Sequence, residues 1–243
     1  MSKRLYVAAM RAGRSIAKRC GILQLLERRA NARTALWLRS LFAIYDLADM
    51  VYLDLPWWTF SATQCVEKFL LLRPNARVFE YGSGASTIWL ALRAGSIESV
   101  EHDRLWAEQL DQFACEYPNI KLNTIMPSTA THPICASRKP GWHGHEFKAY
   151  VDSIRDTEGL FDLIIVDGRA RADCLKASLP HLRHDGLIIF DDSNRSRYQQ
   201  AIQACGLARQ DAHGLKPGVP YPTTTTLLVH DPALLVRIGA STA

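Results

Sequence analysis

Val78-Phe79-Glu80-Tyr81-Gly82-Ser83-Gly84-Ala85-Ser86-Thr87 decides the reading of this chain: an apolar run ends in an acid and enters a glycine turn that opens a helix. Glycines at 82 and 84 permit positive φ and close approach of backbone to a ligand, and Ser86 and Thr87 stand where they can meet the free N–H groups of the following helix. This is the pattern of a loop that cradles a nucleotide-type cofactor. A second strand ending, Ile97-Glu98-Ser99-Val100-Glu101-His102-Asp103, brings Glu101 sixteen residues after Ala85. Its acids fall where a strand–helix–strand nucleotide-binding unit holds ribose, because one carboxylate can accept from both ribose hydroxyls. The two stretches together point to a cofactor carrying an adenosine.

Outward from this unit, strand and helix patterns alternate. Strands are expected near 76–81, 97–101, 119–126, 161–167 and 186–191, with a late β-branched strand from Thr223 to Val229. Helices are expected over 86–94, 104–116, 145–157, 171–182 and 195–205. Continuous apolar strands interleaved with helices imply an α/β fold: a doubly wound, mostly parallel sheet, expected to hold seven strands, with helices on both faces. Residues 1–50 read as a basic helical extension and 51–243 as the α/β domain. Between them Asp54-Leu55-Pro56-Trp57-Trp58 breaks the helical pattern, and its two tryptophans read either as a wall of the site or as core anchors.

A chain of 243 residues, 48% hydrophobic, suits one large core. No apolar run approaches the roughly 20 residues that span a bilayer, and the start lacks a secretory apolar core. Six cysteines are scattered without a C-x-x-C pair, so neither a zinc knuckle nor a disulfide framework is indicated, and a cytoplasmic location is expected. The net charge of +5 is local: residues 1–40 hold ten Lys or Arg against Glu27 alone, and the remainder holds 19 bases and 23 acids. A partly amphipathic basic arm reads as a peripheral contact with an anionic membrane or a protein partner, or as a solvated helix packed on the domain. With a net-negative body, no nucleic acid is expected as a partner.

Four expected strands end in polar groups: Glu80 with its glycine loop, Glu101 with Asp103, Asp167-Gly168-Arg169, and Asp191-Asp192-Ser193-Asn194. In an open α/β sheet such ends converge on one crevice. The ordered set resembles the S-adenosylmethionine-dependent methyltransferases of the Rossmann-like class I, over roughly residues 55–230. More narrowly, it is similar to a bacterial group of methyltransferase-like proteins through Leu55–Trp57, the glycine loop, Asp167–Cys174, Asp191–Tyr198, Gly214–Pro217 and Thr223–Thr226. The resemblance implies that Glu80, Gly82, Ser83 and Gly84, with Ser86 and Thr87, pack against the methionine part of the cofactor. It implies that Glu101 holds the ribose beside His102 and Asp103, and that Asp167 and Gly168 border the cofactor. A dinucleotide enzyme's G-x-G-x-x-G would need glycine where Thr87 stands.

Asp167, Asp191 and Asp192 also match the acid after the fourth strand and the acidic pair after the fifth in metal-dependent catechol-type O-methyltransferases. That likeness implies Mg²⁺ or another divalent cation holding an acceptor hydroxyl and lowering its pKa. The lysine which that family carries three residues after the first acid is here Ala170, between Arg169 and Arg171, and arginine does not serve as a base. In the competing reading, Asp167 touches the cofactor or a helix N-terminus while Asp191 and Asp192 cap the next helix. Asp167, His143 and His145 are the catalytic candidates; the histidines, in Trp142-His143-Gly144-His145-Glu146, offer a base near neutrality. With His132 and Cys135 they match no standard zinc spacing. Arg169, Arg171, Arg195 and Arg197 would meet an anionic or phosphorylated acceptor. The expected function is O-methylation of a small molecule or glycan; the absence of an N/D-P-P-Y signature after the fourth strand favours oxygen over nitrogen. A non-catalytic scaffold of the same fold, or a NAD- or nucleotide-sugar-linked enzyme, are the alternatives. Deletion of residues 1–40 is expected to spare methyl transfer.

Overall fold

Alternation along the strands sends successive apolar side chains to opposite faces, and helices cover both. The computed structural model describes residues 3–240. Residues 1–2 and 241–243, included in the two expected spans, lie outside the described residues. Four helices come first: α1 (Lys3–Arg19), α2 (Ile22–Glu27), α3 (Arg33–Leu41) and α4 (Leu47–Tyr52). After α5 (Phe60–Leu71) follow β1 (Arg77–Tyr81), α6 (Ala85–Ala91), β2 (Ser96–Glu101), α7 (Arg104–Ala114) and β3 (Ile120–Thr124). A short pair, β4 (Ser128–Thr129) and β5 (His145–Glu146), precedes α8 (Lys148–Asp152). The chain ends with β6 (Phe161–Val166), α9 (Arg171–Ser178), β7 (Leu182–Phe190), α10 (Ser196–Ala204), β8 (Ala208–Gly214), β9 (Thr223–Val229) and α11 (Pro232–Arg237).

The main sheet has seven strands in the order β3-β2-β1-β6-β7-β9-β8. The first five are parallel, and the final two reverse, β9 against β7 and β8 against β9. On one face Val78, Leu163, Ile165 and Ile189 pack under α5, α6 and α11; on the other Phe79, Ile164, Val166 and Ile188 pack under α8, α9 and α10. Each such side chain, fully buried, contributes about 1.5–3 kcal/mol. A third cluster joins Leu47 and Met50 of α4 to Ala85, Ile88 and Leu110.

Three expected helices change. The long helix expected across residues 1–50 divides into four pieces, broken at Gly21 (φ 71°) and restarted at Asp46, whose carboxylate accepts from Asp49 N at 3.0 Å. Residue 50 lies within α4, and Arg39 of α3 is buried in ion pairs with Asp49 and Glu27, each at 2.7 Å. The helix expected over 145–157 starts late, because Glu146 accepts from the N–H groups of Ile134, Cys135 and Lys148 and so ties its segment to the loop before it. The helix expected over 171–182 gives way at Leu179–His181 to a 3₁₀ turn containing Pro180.

Candidate active site

β1 and β6 are neighbours, yet the chain leaves β1 toward one edge of the sheet and β6 toward the other. Their C-terminal loops therefore part into a crevice at the switch point. Gly82 has φ +92°, and a Cβ there would lie 2.6 Å from Gly168 Cα, so the two loops touch only because both residues are glycine. A side chain on Gly168 would also strike the Tyr150 hydroxyl. Gly84 lies against the Trp57 ring, 3.2 Å from where its Cβ would be, and Trp106 Nε1 donates to Ser83 O at 2.8 Å. Trp57 and Trp106 thus line the glycine loop, while Trp58 turns into the core against Trp89.

Glu80 lies fully buried beneath the loop, where it accepts from Ser86 Oγ and Thr87 Oγ1, both at 2.5 Å, and from Ser99 Oγ at 2.6 Å. Thr87 Oγ1 also accepts from Gly84 N at 2.9 Å, so Thr87 meets the helix N-terminus while Ser86 is spent on Glu80. Ser83 shares a 2.7 Å hydrogen bond with Ser99. Burial pushes the Glu80 carboxyl up to about 7, against the pull of its three hydroxyl donors, and the nearby Glu101 adds to the rise.

At the end of β2, Glu101 Oε1 accepts from His102 N at 2.7 Å and Asp103 N at 2.9 Å, and Oε2 makes no hydrogen bond among the described residues. Asp103 faces away and caps α7 through Trp106 N. Beside Glu101 three buried polar atoms have no hydrogen-bond partner among the described residues: His102 Nδ1, the Tyr150 hydroxyl and Arg169 Nε. His102 Nδ1 is 2.5 Å from Glu101 Oε1 but lies off the hydrogen-bonding direction. Its ring stands 6.0 Å from Tyr150 and 4.8 Å from Trp142. Burial draws the Arg169 guanidinium below its ordinary pKa, and neighbouring Arg171 lowers it further.

Asp167, Asp191 and Asp192 meet at the ends of β6 and β7, each with a cation in place. Arg171 Nη2 is 2.6 Å from Asp167 Oδ1, Arg195 pairs with Asp192 Oδ2, and Lys216 Nζ is 2.8 Å from Asp191 Oδ2 and 3.0 Å from Asp192 Oδ1. Asp191 Oδ1 accepts from Thr225 Oγ1 at 2.7 Å. This arrangement does not fit a divalent cation, because the oxygens that would ligate it already hold an ammonium, guanidinium groups and a hydroxyl. No His, Cys, Asp and Glu group among the described residues has the geometry of a metal site. Nor do Asp191 and Asp192 cap the next helix, whose N-cap is Arg195 without a side-chain bond. Asp167 is ringed by protein, with 19% of its side chain exposed; burial pushes its carboxyl up to about 7, against the pull of Arg171 and Lys216. Asp192 goes the other way, to about 2: burial opposes ionisation, and Lys216, Arg171 and Arg195 overcome it.

The histidines are not brought to this cluster. His143 is exposed, and His145 lies in the β4–β5 pair with its ring 5.4 Å from Trp142, on the His102 side of the crevice. Of the four arginines, Arg171 and Arg195 are spent on the acids, Arg197 lies over the Tyr198 ring, and Arg169 makes no ion pair among the described residues. Sequence reasoning missed Lys216 and Tyr150. The signal for Lys216 lay inside Gly214–Pro217, but a lysine between strands reads as a solvated loop until its partners are seen.

No protein-family model matches the sequence, and no curated protein does. Solved structures do match. A methyltransferase-like protein from Silicibacter pomeroyi is 23% identical over 75% of this chain and 94% of its own, with a TM-score of 0.45. A spermidine synthase in complex with the transition-state analogue AdoDATO is 12% identical over 74% of this chain and 62% of its own, with a TM-score of 0.51. Precorrin-6y C5,15-methyltransferase from Geobacter metallireducens is 13% identical over 70% of this chain and 87% of its own, with a TM-score of 0.48. The parallel core, the switch-point crevice and the antiparallel final pair give this chain a Rossmann-like fold, which it shares with the spermidine synthase.

Proposed function

We propose that the protein is an S-adenosylmethionine-dependent methyltransferase acting on an acceptor hydroxyl of a small molecule or glycan. The observation that carries this reading is the polar surface beside the glycine loop: Glu101 Oε2, which makes no hydrogen bond, together with the buried His102 Nδ1, Tyr150 hydroxyl and Arg169 Nε, which have no hydrogen-bond partner among the described residues. Buried polar atoms are costly to leave unpaired, by about 1–3 kcal/mol each, so such a cluster is stable when a polar ligand completes it. An adenosine fits, with its ribose hydroxyls on Glu101 and its ring among His102, Trp142 and Tyr150. The cofactor, when bound, supplies an electrophilic methyl group on sulfur.

The chain's own residues then have three tasks. The glycine loop, with Trp57 and Trp106 against it, would hold the methionine part of the cofactor and shield it from water. Arg169 offers a guanidinium without an ion pair for an anionic group. Asp167 Oδ2, which makes no hydrogen bond among the described residues, accepts the acceptor's hydroxyl proton; a carboxyl near 7 is suited to that transfer at neutral pH. No step requires a metal.

Calorimetric titration with S-adenosylhomocysteine tests the reading. Micromolar binding is expected, weakened by about a hundredfold in Glu101→Ala through loss of two charge-assisted hydrogen bonds. Asp167→Asn should keep that binding and lose methyl transfer. A folded protein that binds no S-adenosylhomocysteine would leave the scaffold reading of the same fold.

A further inference from the structure

Asp191 and Asp192 converge on a single point, and that point is occupied by Lys216 Nζ. Lys216 does not belong to the strand-end loops that supply the acids. It arrives from the connection between β8 and β9, 25 residues beyond Asp191, and is only 8% exposed. Its loop is fixed on both sides. Phe60 N donates to Leu215 O at 3.1 Å, Gly218 N donates to Ser40 Oγ at 3.2 Å, and Trp37 Nε1 donates to Val219 O at 3.0 Å. Asp192 itself is held at φ 50°, a left-handed conformation unusual for a non-glycine residue, and that backbone turn aims its carboxylate at the lysine and at Arg195.

We propose that Lys216 is a built-in substitute for a divalent cation: its ammonium holds Asp191 and Asp192 in the geometry a metal would otherwise impose, and it closes the acid cluster to metal ions. Charge decides the matter. With Asp167 ionised, three carboxylates face three fixed cations, Lys216, Arg171 and Arg195, and the cluster is neutral; with Asp167 protonated it is already positive. A divalent ion entering it would leave a buried surplus of positive charge, and burying uncompensated charge is expensive. Replacing the ammonium by an uncharged side chain leaves two aspartates converging on an empty point with excess negative charge, the donor set that a hard cation takes with water completing its shell. Lys216 is thus a positioning residue.

Metal uptake reads this out independently of methyl transfer. Full-length protein is titrated with Mn²⁺ while the free ion is followed by electron paramagnetic resonance. Wild type and Lys216→Arg should leave Mn²⁺ free. Lys216→Met and Lys216→Gln should bind it about tenfold or more tighter than wild type, and adding Asp192→Asn to either should abolish the gain. Two variants guard against one failing to fold, and cooperative melting identifies the sample that counts. Stoichiometric uptake by wild type that disappears in Asp192→Asn overturns the proposal by itself, as does the absence of any gain in a folded Lys216 variant.

Discussion

Glu80 illustrates how one residue can be read correctly as important while its neighbours decide what it does. Its acid at the end of β1 marks the loop in the sequence, but the side chain is fully buried and gathers Ser86, Thr87 and Ser99 beneath the glycines. Its carboxyl is pushed from 4.5 to about 7, so the folded state binds this proton more tightly than the unfolded one. The associated stability is therefore fully present below about 4.5 and is lost as pH rises through about 7. Urea melts of wild type and Glu80→Gln across that window should show a falling contribution in the wild type that the variant lacks; parallel pH profiles would refute it. Tyr150 and Lys216 carry no motif of their own. They become visible only through Gly168, which the Tyr150 hydroxyl abuts, and through the acids that Lys216 joins.

Among the elements, α3 and the connection between β8 and β9 form a pair that the sequence keeps 182 residues apart, from Trp37 to Val219. Trp37 and Ser40 hold the backbone that carries Lys216, and Arg39 fills the space between Asp49 and Glu27. The expectation that deleting residues 1–40 spares methyl transfer thus has a stability cost to set beside it. Removing residues 1–30, which deletes Glu27 and the Arg14 pairs but keeps Arg39 on Asp49, should cost less than removing residues 1–40. Removing residues 1–40 should cost about 3–5 kcal/mol, because Asp49 is left buried without its guanidinium and the Lys216 loop loses two anchors. Equal melting temperatures for the two truncations would show that α3 is only an appendage. The β8 strand was illegible for a related reason: its half-exposed pattern is weak by itself, and its register against β9 is what makes it a strand.

Across the whole molecule, stability is expected to follow the layers. β1, β6 and β7 are covered on both faces by packed helices, whereas α1 exposes Leu5 and Ile16 and, among its described residues, buries only Ala17. Amide exchange should be slowest in those three strands and fastest in α1, a gradient that native-state exchange measures directly. Among the described residues no helix is long and apolar enough to cross a membrane. By itself the sequence determined the alternation of strands and helices, the mostly parallel sheet, the glycine loop and the acids at the strand ends, because periodicity, turn chemistry and capping act over a few residues. The tertiary structure alone decided which charges meet: Lys216 entering from a distant loop to fill the acid pair, Arg171 closing on Asp167, and Tyr150, His102 and Arg169 left unpaired beside Glu101. The reason is physical: electrostatic partners are set by distance in space and by burial, and neither is encoded by local spacing along the chain.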